Sequence, residues 1–254
     1  MIYSLVARFS FFLLLLISTF SFAQPAQVAI VIDDIGYRMT DKNVLNIPGK
    51  VTFAVLPHTP FGERIAKVAN ARNQEVILHI PMESTLGKKL GPGALTSDMD
   101  EKALRQSLTK SLEEVPFAVG INNHMGSHLT TLTEPMIWTM QFLKDNNMLF
   151  LDSVTSPNSL GKAIANQLGV PVMSRHVFLD NHLNHDYIAG QFKQLIRKAK
   201  KNQVAIAIAH PHPQTVESLS RLIPQLKQNN IELVPLSSLY LREHTNLAPS
   251  ISAE

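Results

Sequence analysis

Residues 28–34 read Val28-Ala29-Ile30-Val31-Ile32-Asp33-Asp34, an unbroken apolar run that stops on two adjacent carboxylates. A strand buried on both faces of a parallel sheet reads as a short, continuous Val/Ile run. In α/β sheets and barrels, ligands gather at the carboxyl ends of such strands. Two neighbouring Asp residues there repel each other unless something positive lies between them. A divalent cation is the simplest such group. For this stretch taken alone, the competing reading is a polar turn in which one Asp caps the next helix.

Outward from this run, strand-like and helix-like stretches alternate. Val51–Leu56 reads as a second strand, ending at Pro57-His58, and helical spacing follows over Gly62–Asn73. Glu75–Ile80 is a third strand, running into His79-Ile80-Pro81-Met82-Glu83. Gly87 to Gly93, with Pro92, reads as a surface loop. An amphipathic helix then passes through Leu104, Leu108 and Leu112. Ala118–Ile121 is a short strand ending on Asn122-Asn123-His124, and Met148–Leu151 one ending on Asp152-Ser153. Val170–Met173 leads to Arg175-His176, and Val204–Ala209 ends on His210-Pro211-His212. Helices are expected over Glu134–Asn146, Leu160–Leu168, Tyr187–Asn202 and Thr215–Asn229, with a last strand at Glu232–Pro235. No repeat and no linker interrupts the series. The pattern describes one α/β domain over residues 24–244, either a (β/α) barrel or an open sheet, with a loose tail over 245–254.

Residues 1–23 have a different grammar. A lone Arg8 precedes the apolar stretch Phe11–Ile17, and Ser21-Phe22-Ala23 supplies a small-residue end. This is the layout of a secretory signal peptide cleaved after Ala23. Its apolar core is short for a membrane span. The mature chain is therefore expected to be exported, to the periplasm or beyond, with no stable membrane span. The sequence has no Cys, which excludes disulfide staples and thiolate chemistry. Lys and Arg number 23 against 20 Asp and Glu, so the charge is close to balanced. The densest basic run, Lys193 to Lys201, reads as a solvated helix face, and no nucleic-acid partner is expected.

The His residues are more telling than the net charge, because most sit at or near strand ends. Those ends collect Asp33, Asp34, His58, His79, Glu83, His124, His128, Asp152, Arg175, His210 and His212. In a parallel arrangement they all lie on one side of the sheet, as a metal site would require. His124-Met125-Gly126-Ser127-His128 is the sharpest pair, since an i, i+4 spacing on a helical turn puts both imidazoles on one face. Two His with one carboxylate and an open coordination position make a catalytic zinc pattern. Mixed N/O donors suit Zn2+, and other divalent ions fit as well.

The set Val31-Ile32-Asp33-Asp34-Ile35-Gly36, His79-Ile80-Pro81-Met82-Glu83, Asn123–His128, Phe150-Leu151-Asp152-Ser153 and Ala209-His210-Pro211-His212 resembles the polysaccharide deacetylase superfamily, and more closely its divergent branch in exported bacterial proteins. The resemblance spans nearly the whole mature chain. It implies a distorted (β/α) barrel and a metal-dependent hydrolase that de-N-acetylates an envelope or extracellular polysaccharide, such as a peptidoglycan-like glycan. By position it implies Asp33 as general base, Asp34, His124 and His128 as metal ligands, and His210 as the acid that protonates the leaving amine; the family's usual His pair comes one strand earlier, close to where His79-x-x-x-Glu83 stands, so His79 and Glu83 compete with His124 and His128 for the ligand role. The family's usual Arg-x-Pro segment is absent, and Asp152-Ser153 takes its place in order, which puts Asp152 among the catalytic candidates. Arg175 is expected to replace the missing Arg and pair with Asp33. These departures keep a second reading open, a non-catalytic module of the same fold that binds glycan or serves envelope assembly.

Overall fold

The computed structural model describes residues 24–245, and side chains through residue 240. The expected signal peptide and nearly all of the expected loose tail lie outside the described residues. Among the described residues, nine strands form one parallel sheet: β1 (Ala26–Ile35), β2 (Thr52–Val55), β3 (Val76–Met82), β4 (Gly120–Met125), β5 (Leu149–Asp152), β6 (Val172–Ser174), β7 (Val177–Phe178), β8 (Val204–Ala209) and β9 (Ile231–Leu233). Neighbours run β6-β5-β4-β3-β2-β1-β8-β7, and β9 adds to β1. The helices between them are α1 (Gly62–Ala71), α2 (Glu101–Glu114), α3 (Thr133–Asp145), α4 (Gly161–Leu168), α5 (His185–Asn202), α6 (Pro213–Leu222), α7 (Pro224–Gln228) and α8 (Leu236–Thr245).

The sheet curls into a barrel because one short segment serves both of its ends. Phe150 to Asp152 of β5 pair with Val172 to Ser174, and Val177-Phe178 pair with Ala207-Ile208 of β8. Only Arg175 and His176 separate β6 from β7, so residues 172–178 step from one sheet edge to the other. The strand expected over Val170–Met173 is β6, and β7 goes beyond that expectation because two residues are too few to show a periodicity.

Side-chain alternation sorts the strands into two cores. Val28, Ile30 and Ile32 pack outward with Phe53, Leu78, Ile121 and Phe150 against the helices. Ala29 and Val31 point inward with Ala54, Ile77, Leu151, Met173, Ile206 and Ile208, and Leu236 and Leu239 of α8 pack into the same inner cluster. Strands buried on both faces explain why the sequence shows continuous apolar runs instead of alternation. The same parity fixes the upper rim. Continuing the inward series by two residues leads from Val31 to Asp33, from Ile77 to His79, from Leu151 to Ser153, from Met173 to Arg175 and from Ile208 to His210. On β4 outward Ile121 leaves Asn122 and His124 facing in.

Two local expectations are corrected. The single helix expected over Thr215–Asn229 is two, α6 and α7, divided before Pro224, whose ring cannot continue an interior helical hydrogen bond. His124 lies in a strand, not on a helical turn. β4 runs through Met125, and the chain then bends at Met125 (φ 58°) and Gly126 (φ 87°).

Candidate functional site

The site is the polar cap of the inner core. β1 carries a bulge at its end: pairing with β2 shifts register between Ile32 and Ile35, and Asp34 sits at φ 59°. Asp enters this left-handed region at modest cost. A regular strand would send Asp33 and Asp34 to opposite faces. The bulge turns both toward His79, with Asp34 Oδ1 at 3.0 Å and Asp33 Oδ2 at 3.7 Å from its Nε2.

His79 and His124 come together across adjacent strands. The β3–β4 register sets His79 beside Asn122 and Pro81 beside His124, so the two rings meet diagonally. His124 Nδ1 lies 3.1 Å from His79 Nε2 and 2.7 Å from Asp34 Oδ1. Asp34, His79 and His124 thus present three donor atoms all within 4.8 Å of one another. One carboxylate and two imidazoles crowded this closely fit a divalent cation such as Zn2+. Without a cation, protons must take up the repulsion. Burial alone would push His79 down, but Asp33 and Asp34 outweigh it and raise its pKa. Burial likewise works against ionised Asp34, yet the hydrogen bonds and charges of His124 and His79 hold its carboxyl far below the usual range.

Asp33 is of a different kind. It is buried at 2% exposure, and burial raises its pKa against the opposing pull of His79 and His210. Both of its oxygens accept from Asn122 Nδ2, at 2.9 and 3.0 Å. Across the mouth, His210 turns Nε2 toward Asp34 Oδ2, 4.0 Å away, and bonds Asp180 Oδ1 through Nδ1 at 2.9 Å. Asp180 is itself fixed by the His210 backbone N–H at 2.7 Å and by Thr215 Oγ1 at 2.8 Å. Burial lowers the His210 pKa, but the hydrogen bond and charge of Asp180 outweigh it, and the value is raised to about 9.

The remaining sequence candidates are placed elsewhere. His128 stands outside the three-residue group; its Nε2 is 4.0 Å from Glu83 Oε1, and both side chains are near the surface. Glu83 spends one carboxylate oxygen on the Ser97 backbone N–H at 2.6 Å. Asp152 has the outward parity of Phe150. Its oxygens accept from Val154 N–H at 2.8 Å and Ser159 Oγ at 2.7 Å, and it packs against Gly161 at the start of α4. Arg175 makes no ion pair with Asp33 among the described residues. It donates instead to the carbonyls of Ser153 (2.7 Å) and Val154 (3.0 Å), with its guanidinium 3.7 Å above the Phe178 ring. Those carbonyls are turned toward it by a bend at Val154, whose φ of 48° is unusual for a β-branched residue.

Two residues of the site are not among the sequence candidates. Asp180 closes the apolar run Val177-Phe178-Leu179, the same grammar as Asp33 in a much shorter strand. Asn122 lies two residues before His124, and period-2 alternation puts both on one face.

Comparison with known proteins agrees with this architecture. An uncharacterised protein of Agrobacterium tumefaciens C58 superposes with a TM-score of 0.80 at 25% identity, over 86% of this chain and 91% of that one. A mutant of a CE4 family pseudoenzyme from Bacillus anthracis, with restored enzymatic activity, shares the fold at a TM-score of 0.56 and 17% identity, over 85% of this chain and 68% of that one. In sequence, the uncharacterised protein YibQ of Escherichia coli K12 is 40% identical over 214 residues, 84% of this chain and 67% of its own length. Residues 30–240 match the divergent polysaccharide deacetylase family, and the chain belongs to that family.

Proposed function

We propose that the protein is an exported, divalent-metal-dependent hydrolase that removes N-acetyl groups from an envelope or extracellular polysaccharide. One observation carries the reading. Asp34, His79 and His124 converge at the barrel mouth with Asp33 on one side and the His210–Asp180 pair on the other. A site that only held a metal would need neither of the flanking groups. Family membership supports the substrate class, and the leader-like residues 1–23 support export.

Asp34, His79 and His124 would hold the ion, with Zn2+ the best match to the donor set. When bound, such an ion supplies Lewis-acid polarisation of an acetyl carbonyl and lowers the pKa of water. Asp33 is placed to accept a proton from the attacking water, and its burial raises its basicity toward that task. His210 is placed to hand a proton from Nε2 to the departing amine. Asp180 holds the ring by Nδ1 and keeps Nε2 turned inward. Arg175 acts at a distance, by fixing the Ser153–Val154 backbone beside the mouth.

The engagement of Arg175 away from Asp33 favours a second reading, a glycan-binding module that has kept the metal. Incubating the metal-loaded protein with N-acetylated chitooligosaccharides and with peptidoglycan, and measuring released acetate, separates the two. Acetate release that falls about 10²–10⁴-fold in Asp33→Asn supports the hydrolase. Metal-dependent glycan binding with no acetate from either substrate supports the module.

A further inference from the structure

Asn122 is fully buried on β4, between the carboxylate on one side of the site and an imidazole on the other. Its Nδ2 donates to both oxygens of Asp33, and its Oδ1 faces His79 Nδ1 at 2.7 Å. The orientation of this amide is fixed by chemistry. An ionised Asp33 only accepts, so the nitrogen end must face it. That leaves only an acceptor for His79, so the proton of the ring sits on Nδ1 and donates to Asn122 Oδ1. The lone pair of the neutral ring is then confined to Nε2, the atom that meets Asp34 Oδ1 and His124 Nδ1 at 3.0 and 3.1 Å. In metal sites, an acceptor on the far ring nitrogen orients a ligating His and strengthens it. Here the acceptor comes from the same amide that clamps the candidate base.

We infer that Asn122 is the positioning residue of this site, setting His79 in its metal-ligating tautomer with one end of its amide and holding Asp33 with the other. The inference rests on the metal reading of Asp34, His79 and His124. Its two halves separate by substitution. Asn122→Asp keeps an acceptor for His79 and removes the donor to Asp33, whereas Asn122→Ala removes both.

The test is Zn2+ affinity of the full chain, measured against a chromophoric competitor and needing no substrate, with thermal melts alongside to establish folding. Asn122→Ala should weaken Zn2+ binding about 10–100-fold, and Asn122→Asp should hold it within about threefold of the parent. Both should lose acetate release at saturating Zn2+. Parent-like affinity in a folded Asn122→Ala protein overturns the inference, and so does an equal loss in both variants. Nitrogen NMR of the zinc-loaded parent is the check that requires no variant to fold. The His79 signals, assigned against His79→Gln, should show Nδ1 protonated and Nε2 coordinated. Coordination through Nδ1 overturns the inference while leaving the metal reading intact. A parent that takes up no divalent ion overturns the metal reading itself, and this inference with it.

Discussion

The two strands β3 and β4 each carry a pair of metal-competent residues four apart, and the two members of each pair meet different fates. His79 and His124 lie within the strands, face the barrel interior and meet Asp34. Glu83 and His128 lie just beyond the strand ends and face each other near the surface, 4.0 Å apart. The difference lies in backbone geometry. On a helix, residues four apart are neighbours about 6 Å apart. Along an extended strand the same four residues cover about 13 Å. β3 stays extended to Met82 and so carries Glu83 away from His79, whereas past His124 the chain bends at Met125 and Gly126 and sets His128 beside Glu83, outside the three-residue group. Closure comes instead from cross-strand neighbours, one imidazole from each strand.

The largest expected effect probes this contrast directly. His79→Ala and His124→Ala should each remove stoichiometric metal, a loss beyond the roughly 10–100-fold typical of an outer hydrogen-bond partner. Glu83→Ala should leave binding near the parent value, as metal titration would show. Next comes the flank of the site. Asp33→Asn should retain the metal and lower acetate release about 10²–10⁴-fold, the range of a lost general base. Steady-state kinetics at saturating metal checks this.

Asp152 supplies the third contrast, a strand-end carboxylate on the opposite parity from Asp33. Asp152→Ala should cost about 1–3 kcal/mol of stability through the buried donors it leaves behind, with metal affinity unchanged. Denaturant unfolding with parallel metal titration would reveal any role at the site.

The smallest effect concerns His210 in the metal-free protein. Its folded pKa is raised to about 9, above an unfolded value of about 6.5. The stabilisation is therefore complete below about 6.5 and is lost as pH rises through about 9. The melting temperature should drop more between pH 7 and 10 in the parent than in His210→Gln. Equal drops would detach the His210–Asp180 pair from this account.

Much of the fold is legible in the sequence because parallel strands buried on both faces leave unbroken apolar runs. Asp33, Asp34, His79, His124 and His210 stand at or near the points where those runs stop. The ligand grouping was less legible. Its register depends on which residues lie beside each other across β3 and β4, and no single-segment spacing records that. The bulge at Asp34 is equally silent, since Asp-Asp reads the same whether its side chains diverge or converge. Asp180 was hidden by a strand only two residues long. The partners of Arg175 are backbone carbonyls, which carry no residue-type signal in the sequence.

In the proposed centre, one imidazole from each of two neighbouring strands joins Asp34 around a divalent ion. Metal analysis of the purified protein, with His79→Ala, His124→Ala and His128→Ala prepared alongside, tests it most directly. About one zinc per chain is expected in the parent and in His128→Ala, and none in the other two. Metal lost in His128→Ala but kept in His79→Ala would contradict it.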